Sequence, residues 1–164
     1  MTTAILLRSL VSLFQSSFEE YRLFFAAKKD SSDVVLPHVF IGSLPPEYKD
    51  DDWPHVMFEL PKGIKDDEEL ATIPLTIHIG VTADTDNEGI DAPTYEILRL
   101  LDMVRMILLQ NRIVGESYRL KLPVSSGIDR TRGALKYAIG AVSVEYETGS
   151  PAPIILEGTE NGYK

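Results

Sequence analysis

The sequence has no cysteine among its 164 residues, which excludes a disulfide framework and a thiolate zinc site. It also lacks an excess of positive charge, because 25 acidic residues against 16 lysines and arginines give a net charge of −9. An acidic surface repels nucleic acid and argues against sequence-specific DNA binding. Arg8, Ser9 and Ser12 interrupt the apolar stretch 4–14, and no run reaches the roughly 18–20 residues of a membrane span. We therefore expect a soluble protein without a membrane partner.

Motifs that specify a reaction are missing as well. The chain has no GxSxG, GxGxxG, GxxxxGK[ST] or HExxH pattern, and Ser125–Ser126–Gly127 reads as a turn rather than as a nucleophile. Runs of acids lie in polar loops, which indicates solvation rather than a tuned acid–base pair. The sequence therefore predicts no enzyme, no catalytic residue and no cofactor.

The clearest pattern that is present is a strand followed by a long helix. In IPLTIHIGV, residues 73–81, isoleucine, leucine and valine alternate with other residues, which predicts a β-strand with one buried face. An acidic loop at 82–91 leads to a helix from Asp91, the expected N-cap, with Pro93 in its first turn. A wide apolar stripe along residues 97–108 predicts that this helix covers the sheet.

Weaker patterns supply the remaining elements. Apolar residues at steps of three or four predict a first helix over 3–28, and alternation predicts strands over 34–44, 55–60, 117–124 and 135–147. Gly115 is expected to end the second helix, and 125–134 to form a loop. Short neighbouring strands usually pair antiparallel. The prediction is an α+β fold of order α-β-β-β-α-β-β: one mostly antiparallel twisted sheet of about five strands, with two helices on one face.

The length suits one domain, which we place at residues 1–148, followed by a loosely ordered tail over 149–164. The last strand is apolar or small on both sides, with Tyr137, Ile139 and Ala141 on the second. A sheet covered by helices on one face leaves that second side needing another covering. These three residues, with the basic loop residues Arg130 and Arg132, are the candidate contacts to another subunit or partner.

Two candidate metal sites remain. Asp84, Asp86, Glu88 and the glycine after them resemble the front half of a calcium loop, but the twelfth position is tyrosine where a bidentate glutamate should stand. We therefore interpret the segment as a solvated acidic loop, with calcium binding as the alternative. Three histidines occur on three different predicted strands and could converge only if those strands are neighbours in matching register. No metal-site spacing supports this, so we interpret them as surface or hydrogen-bonded histidines, with a zinc or iron site as the alternative. The candidate histidines are His38, His55 and His78.

The succession of an amphipathic N-terminal helix, strands at 34–41 and 55–60, the alternating strand IPLTIHIGV, an acidic loop, a long helix and two closing strands resembles one known family. The resemblance, over roughly residues 3–148, is to the tail terminator, or tail completion, proteins of long-tailed bacteriophages. The resemblance lies in the chain length, the order of the elements and the pattern of apolar and acidic residues. It includes no catalytic motif.

The resemblance implies a structural protein of the virion tail or neck, made in the cytoplasm of a bacterial host by a phage or prophage. Such proteins form a ring, commonly of six subunits, that ends the growing tail tube and offers a surface for joining the head. The implied partners are further copies of the chain, the tail tube protein and a head-completion or connector protein. Two alternatives stay open: a head–tail connector or neck subunit, and a small metal- or ligand-binding domain that uses the acidic loop 82–91.

Overall fold

The computed structural model describes residues 3–25, 34–43, 53–129 and 136–149. Within these ranges the chain forms four helices and seven strands, in the following order. They are α1 (Thr3–Glu20), α2 (Arg22–Phe25), β1 (His38–Ile41), β2 (His55–Phe58), β3 (Lys65–Asp66), β4 (Leu70–Thr82), α3 (Thr85–Glu88), α4 (Ala92–Gln110), β5 (Ile113–Val114), β6 (Tyr118–Asp129) and β7 (Tyr137–Gly149). The longer elements follow the predicted order, and the four additional ones are only two to four residues long.

All seven strands belong to one sheet, in the order β1-β2-β4-β7-β6-β5, with β3 beside β4. The predicted α+β class is confirmed. The prediction of one mostly antiparallel sheet is correct only in part, because the sheet is mixed and has seven strands rather than about five. The pairing of β1 with β2 is parallel, which corrects the expectation that these short neighbours pair antiparallel. Strands β3 and β5 contain two residues each, too few for an alternation to show in the sequence.

The C-terminal half departs from prediction at two points. Residues 125–129, expected in a loop, extend β6, because they pair one by one with residues 139–143 of β7. A long partner strand thus overrides the low strand propensity of serine and glycine. Helix α4 ends at Gln110 and not near Gly115, which has φ +56° in the turn between β5 and β6. That conformation is the one glycine adopts without strain.

The hydrophobic core lies between one face of the sheet and helices α1 and α4. Alternate residues of β4, from Ala71 to Val81, are buried, and α4 packs on β4 and β7. Helix α1 contacts the strands at both ends of the sheet, β1 and β5. The ring of Phe14 meets those of Phe18 and Phe58 edge-to-face, with ring centroids 5.8 and 5.2 Å apart. Helices and sheet therefore share one apolar layer, as the periodicities predicted.

The hydroxyl of Tyr146 lies in this core, and its removal should change the free energy of unfolding in a direction that shows whether it is hydrogen-bonded. Tyr146 is fully buried, burial raises its pKa, and among the described residues its hydroxyl has no hydrogen-bond partner. Because an unsatisfied buried hydroxyl keeps its desolvation cost, Tyr146→Phe should raise the free energy of unfolding by about 1 kcal/mol. Urea denaturation measures the change. A loss of stability of similar size would show that the hydroxyl has a partner in solution.

Candidate functional site: the helix-free face of the sheet

The face of the sheet turned away from α1 and α4 carries no described helix, and we call it the helix-free face. The strand registers set its side chains in rows across the sheet. One row joins His55, Gly80 and Ile139, and the next joins Met57, His78 and Ala141. Tyr137 begins β7 on this face, with 39% of its surface exposed, whereas Ile139 and Ala141 are half-buried. The face is therefore apolar over several neighbouring strands.

Aromatic side chains gather at one end of this face. The Trp53 ring lies against His55, with centroids 4.6 Å apart, and against Tyr137 at 5.1 Å. Phe40 of β1 extends the group, 6.4 Å from His55. Together with Met57 and Ile139 these residues form what we call the aromatic half, namely Phe40, Trp53, His55, Met57, Tyr137 and Ile139. The cluster places a large apolar surface on the side of the sheet opposite the core.

Gly80 explains how this arrangement fits. Trp53 and His55 fold over its Cα, and a Cβ at this position would overlap both rings. The small residue thus lets two large ones lie flat on β4, and both are more than nine-tenths buried. In a strand, such a glycine marks a close approach of neighbouring groups.

Replacing Gly80 with alanine should displace Trp53. We expect a loss of about 1–3 kcal/mol in the free energy of unfolding, typical of overpacking a filled site. Trp53 is the single tryptophan, so its emission reports on this position alone, and we expect a red shift as the ring gains water. Gly127→Ala is the matched control, because a Cβ there meets no atom within 4 Å. Equal effects from the two variants would contradict the packing described here.

Beside the aromatic half runs a groove of about 910 Å³. Trp53 and Tyr137 line one side of the groove, Ser125 and Gly127 of β6 line the other, and Ala141 of β7 also lines it. The small side chains of β6 and β7 at this point leave the groove open. It is larger than three other grooves in the described parts of the chain, which have volumes of about 400 to 660 Å³.

The other end of the helix-free face is charged. Glu59 accepts hydrogen bonds from Lys62 Nζ at 2.6 Å and pairs with His78 Nε2 at 2.8 Å. Lys121 Nζ lies 3.4 Å from Glu147 and 3.7 Å from Glu145. The face therefore changes along its strands from aromatic to ion-paired. Contact with water is unfavourable in free energy for the aromatic half.

The ion-paired end predicts a defined pH response. Hydrogen bonds from His78 and then Lys62 lower the pKa of Glu59 from 4.5 to about 2. Because the folded-state pKa is depressed, the Glu59 carboxylate stabilises the fold above about pH 4.5, and this contribution is lost as the pH falls towards 2. Melting temperatures of the native chain and of Glu59→Gln should differ at pH 6 and converge at pH 2. A difference that stays constant over that range would contradict the assignment.

The predicted contact residues Tyr137, Ile139 and Ala141 thus share one face, and their role in contacts stays a prediction. Arg130 and Arg132 lie outside the described residues, as does the tail beyond Gly149. The aromatic half also contains residues that the sequence reasoning missed. Trp53 lies between two predicted strands, outside every element that the sequence predicts, although a lone tryptophan next to proline in an acidic segment is a signal that could single it out.

The acidic loop is more ordered than predicted, because it contains the short helix α3. Asp84 caps that helix, accepting hydrogen bonds from the backbone N–H of Asp86 at 3.1 Å and of Asn87 at 3.2 Å, and from the Asn87 side chain. These bonds lower the pKa of Asp84. Asp91 stands at the N-cap of α4 as expected, but its carboxylate makes no capping hydrogen bond. Asp84, Asp86 and Glu88, all described residues, are not grouped so that they would hold a metal ion.

All three histidines lie on strands that are neighbours in the sheet, the condition under which they could converge. His38 and His55 are register partners, and His78 follows one row further. Their side chains nevertheless engage different groups: His78 pairs with Glu59, and His55 lies against Trp53. Over the described ranges, no three His, Asp or Glu side chains are grouped so that they would hold a metal ion.

Comparison of the chain with models of known protein families finds no matching family, and comparison with curated proteins finds no significant match. Among the described residues, no helix is both long enough and apolar enough to cross a lipid bilayer. The function must therefore be argued from the geometry of the helix-free face and from the order of the elements.

Proposed function

We propose that this chain is a structural assembly protein of a phage or prophage tail, which forms a ring, ends the tail tube and helps to join the tube to the head. The observation that carries the proposal is the aromatic half of the helix-free face. Six large side chains lie there outside the core, and Tyr137 remains more than one-third exposed. Trp53 and His55 are themselves buried, so the accessible part of the cluster is Tyr137 with the half-buried Phe40, Met57 and Ile139. Exposed apolar patches mark interaction sites.

A ring gives that surface an occupant. In a closed ring each subunit presents one patch to a different patch on its neighbour, so every copy of the aromatic half is covered without leaving a free end. Aromatic residues and methionine are also enriched at the centres of protein interfaces, whereas charged residues are depleted there. The helix-free face has this composition, with its ion pairs confined to the far end.

The order of the longer elements, helix, three strands, helix and two strands, supports the resemblance to tail terminator proteins. On this proposal the partners are copies of the chain, the tail tube protein on one side of the ring and a head-completion or connector protein on the other. Assembly takes place in the host cytoplasm and the protein ends in the neck of the virion. The proposal assigns no catalytic residue and no cofactor.

Electron microscopy of the purified full-length chain tests the proposal directly. We expect ring-shaped particles with a central opening, and we expect added rings to stop polymerisation of a tail tube protein. A connector or neck subunit would also form rings but would leave tube polymerisation unaffected. Single particles of monomer size at every concentration would contradict the proposal.

The groove favours a second candidate, a small-ligand-binding domain. A concave, largely apolar groove with a few polar groups is the usual form of a ligand site. The groove is lined by Trp53 and not by the acidic loop, so a planar ligand that stacks there should quench the emission of the single tryptophan. Quenching by a small molecule, combined with a monomeric protein, would favour this candidate over the ring.

A further inference from the structure

The sheet ends in two edges that differ in chemistry. One edge is β1. On the other side, β5 pairs only with Tyr118 and Arg119 of β6, so residues 121–128 of β6 have no strand on their outer side among the described residues. Most of these residues are exposed. An edge strand of this kind presents a row of backbone N–H and C=O groups that another strand can pair with.

The β6 edge is protected over only half of its length. Lys121 and Pro123 stand in its first part, and the register with β7 shifts between Lys121 and Ser125. A lysine, a proline and an irregular register are the features with which natural sheets prevent pairing at an edge. The stretch Ser125–Ile128 has neither charge nor proline, and its other side is fixed by regular pairing with β7. It is a rigid, unprotected template four residues long.

The β1 edge is as long as the unprotected stretch of β6, but its side chains on the helix-free face are large where those of β6 are small. It is also four residues long, and in the described part of the chain its only neighbour is β2. The residues that β1 places on the helix-free face are large, His38 and Phe40, which are in register with His55 and Met57. Those that β6 places on the same face are small, Ser125 and Gly127, in register with Ser143 and Ala141.

We propose that β1 of one copy of the chain pairs with Ser125–Ile128 of the next copy, so that the ring closes as one continuous sheet. This inference rests on the proposed ring and names the two surfaces that meet in it. Large side chains from one edge would lie beside small ones from the other, and an aromatic ring beside an edge glycine is a favourable cross-strand neighbour.

A second copy of the chain suits this edge because one molecule carries both halves of the contact. A heterologous ring interface requires two different, complementary surfaces on the same subunit, and the two edges, four residues each, provide them. The paired strand would also bring the neighbour's Phe40 to the groove beside Gly127. The neighbour would thereby add a wall to the groove.

Engineered cysteines test the pairing without interference, because the native chain has none. We would oxidise two double variants, Phe40→Cys with Gly127→Cys and Phe40→Cys with Ser125→Cys, and separate the products on a non-reducing gel. The control is Phe40→Cys with Ser126→Cys, because residue 126 faces the other side of the sheet. Three strands separate β1 from β6, roughly 19 Å across the sheet, which is too far for a disulfide within one chain.

We expect a ladder of covalent oligomers from at least one of the two test variants, and none from the control. Equimolar mixtures of the single variants should give covalent dimers only, and they keep the test valid if a double variant folds poorly. If electron microscopy shows rings but neither test variant gives such cross-links, the edge pairing is overturned and the proposed ring is not. Absence of any self-association would overturn both, and equal cross-linking of the control would overturn the edge pairing.

Discussion

Replacing Phe14 with alanine should lower the free energy of unfolding by about 3–5 kcal/mol, the range for removing a buried phenylalanine. The ring is fully buried and bridges α1 to β2 through Phe58, and it also packs on Phe18. The cavity would therefore open where helix and sheet meet. Since natural domains are stable by only about 5–15 kcal/mol, much of the stability should be lost.

Phe24→Ala is the matched control for this substitution. Phe24 is 41% exposed, and its main contacts are with Phe25 and with the Arg99 guanidinium, 5.1 Å above the ring. We expect its loss to cost about 1 kcal/mol or less. Chemical denaturation of both variants, followed by circular dichroism, measures the difference. Equal losses at the two positions would contradict the single core assigned between α1, α4 and the sheet.

Replacing Ile139 with lysine should weaken self-association about 30-fold or more. Ile139 is half-buried in the aromatic half, so the isolated subunit has room to direct an ammonium group to water. A neighbouring subunit that covers the face would bury that charge without a partner. Leaving an unpaired charge in an interface costs about 2–5 kcal/mol, which corresponds to roughly 30-fold to several thousandfold in affinity.

The control for this variant is Thr94→Lys, which adds the same charge at an exposed position of α4. Size-exclusion chromatography with light scattering should show smaller particles for Ile139→Lys and unchanged particles for Thr94→Lys. Circular dichroism verifies that both chains are folded. Intact rings from Ile139→Lys would exclude the helix-free face at this position from the subunit contact.

The long elements were predictable because their periodicity is set by one buried layer. Strand β4 alternates with few exceptions over residues 73–81, and α4 begins within one residue of its predicted start. The same alternation put Tyr137, Ile139 and Ala141 on one side of β7, and the structure confirms that they share a face. Burial of one face produces a periodic pattern of apolar residues, and this pattern can be recognised in a single sequence.

The remaining features depend on partners distant in the chain. Residues 125–129 become a strand because β7 pairs with them, and their own side chains give no strand signal. The parallel pairing of β1 with β2 depends on the path of the chain between them, which neither strand encodes. The position of Trp53 depends on Gly80, a residue 27 places later that leaves room for its ring. No local pattern contains these relations.

The central claim is that the helix-free face is covered by further copies of this chain in a closed ring. Sedimentation equilibrium of the full-length protein over a hundredfold range of concentration tests it most directly. We predict one species whose mass is a fixed multiple of the 18.3 kDa chain, near six times that value, and does not change with concentration. A mass of 18.3 kDa throughout that range, or one that grows without limit as concentration rises, would contradict the claim.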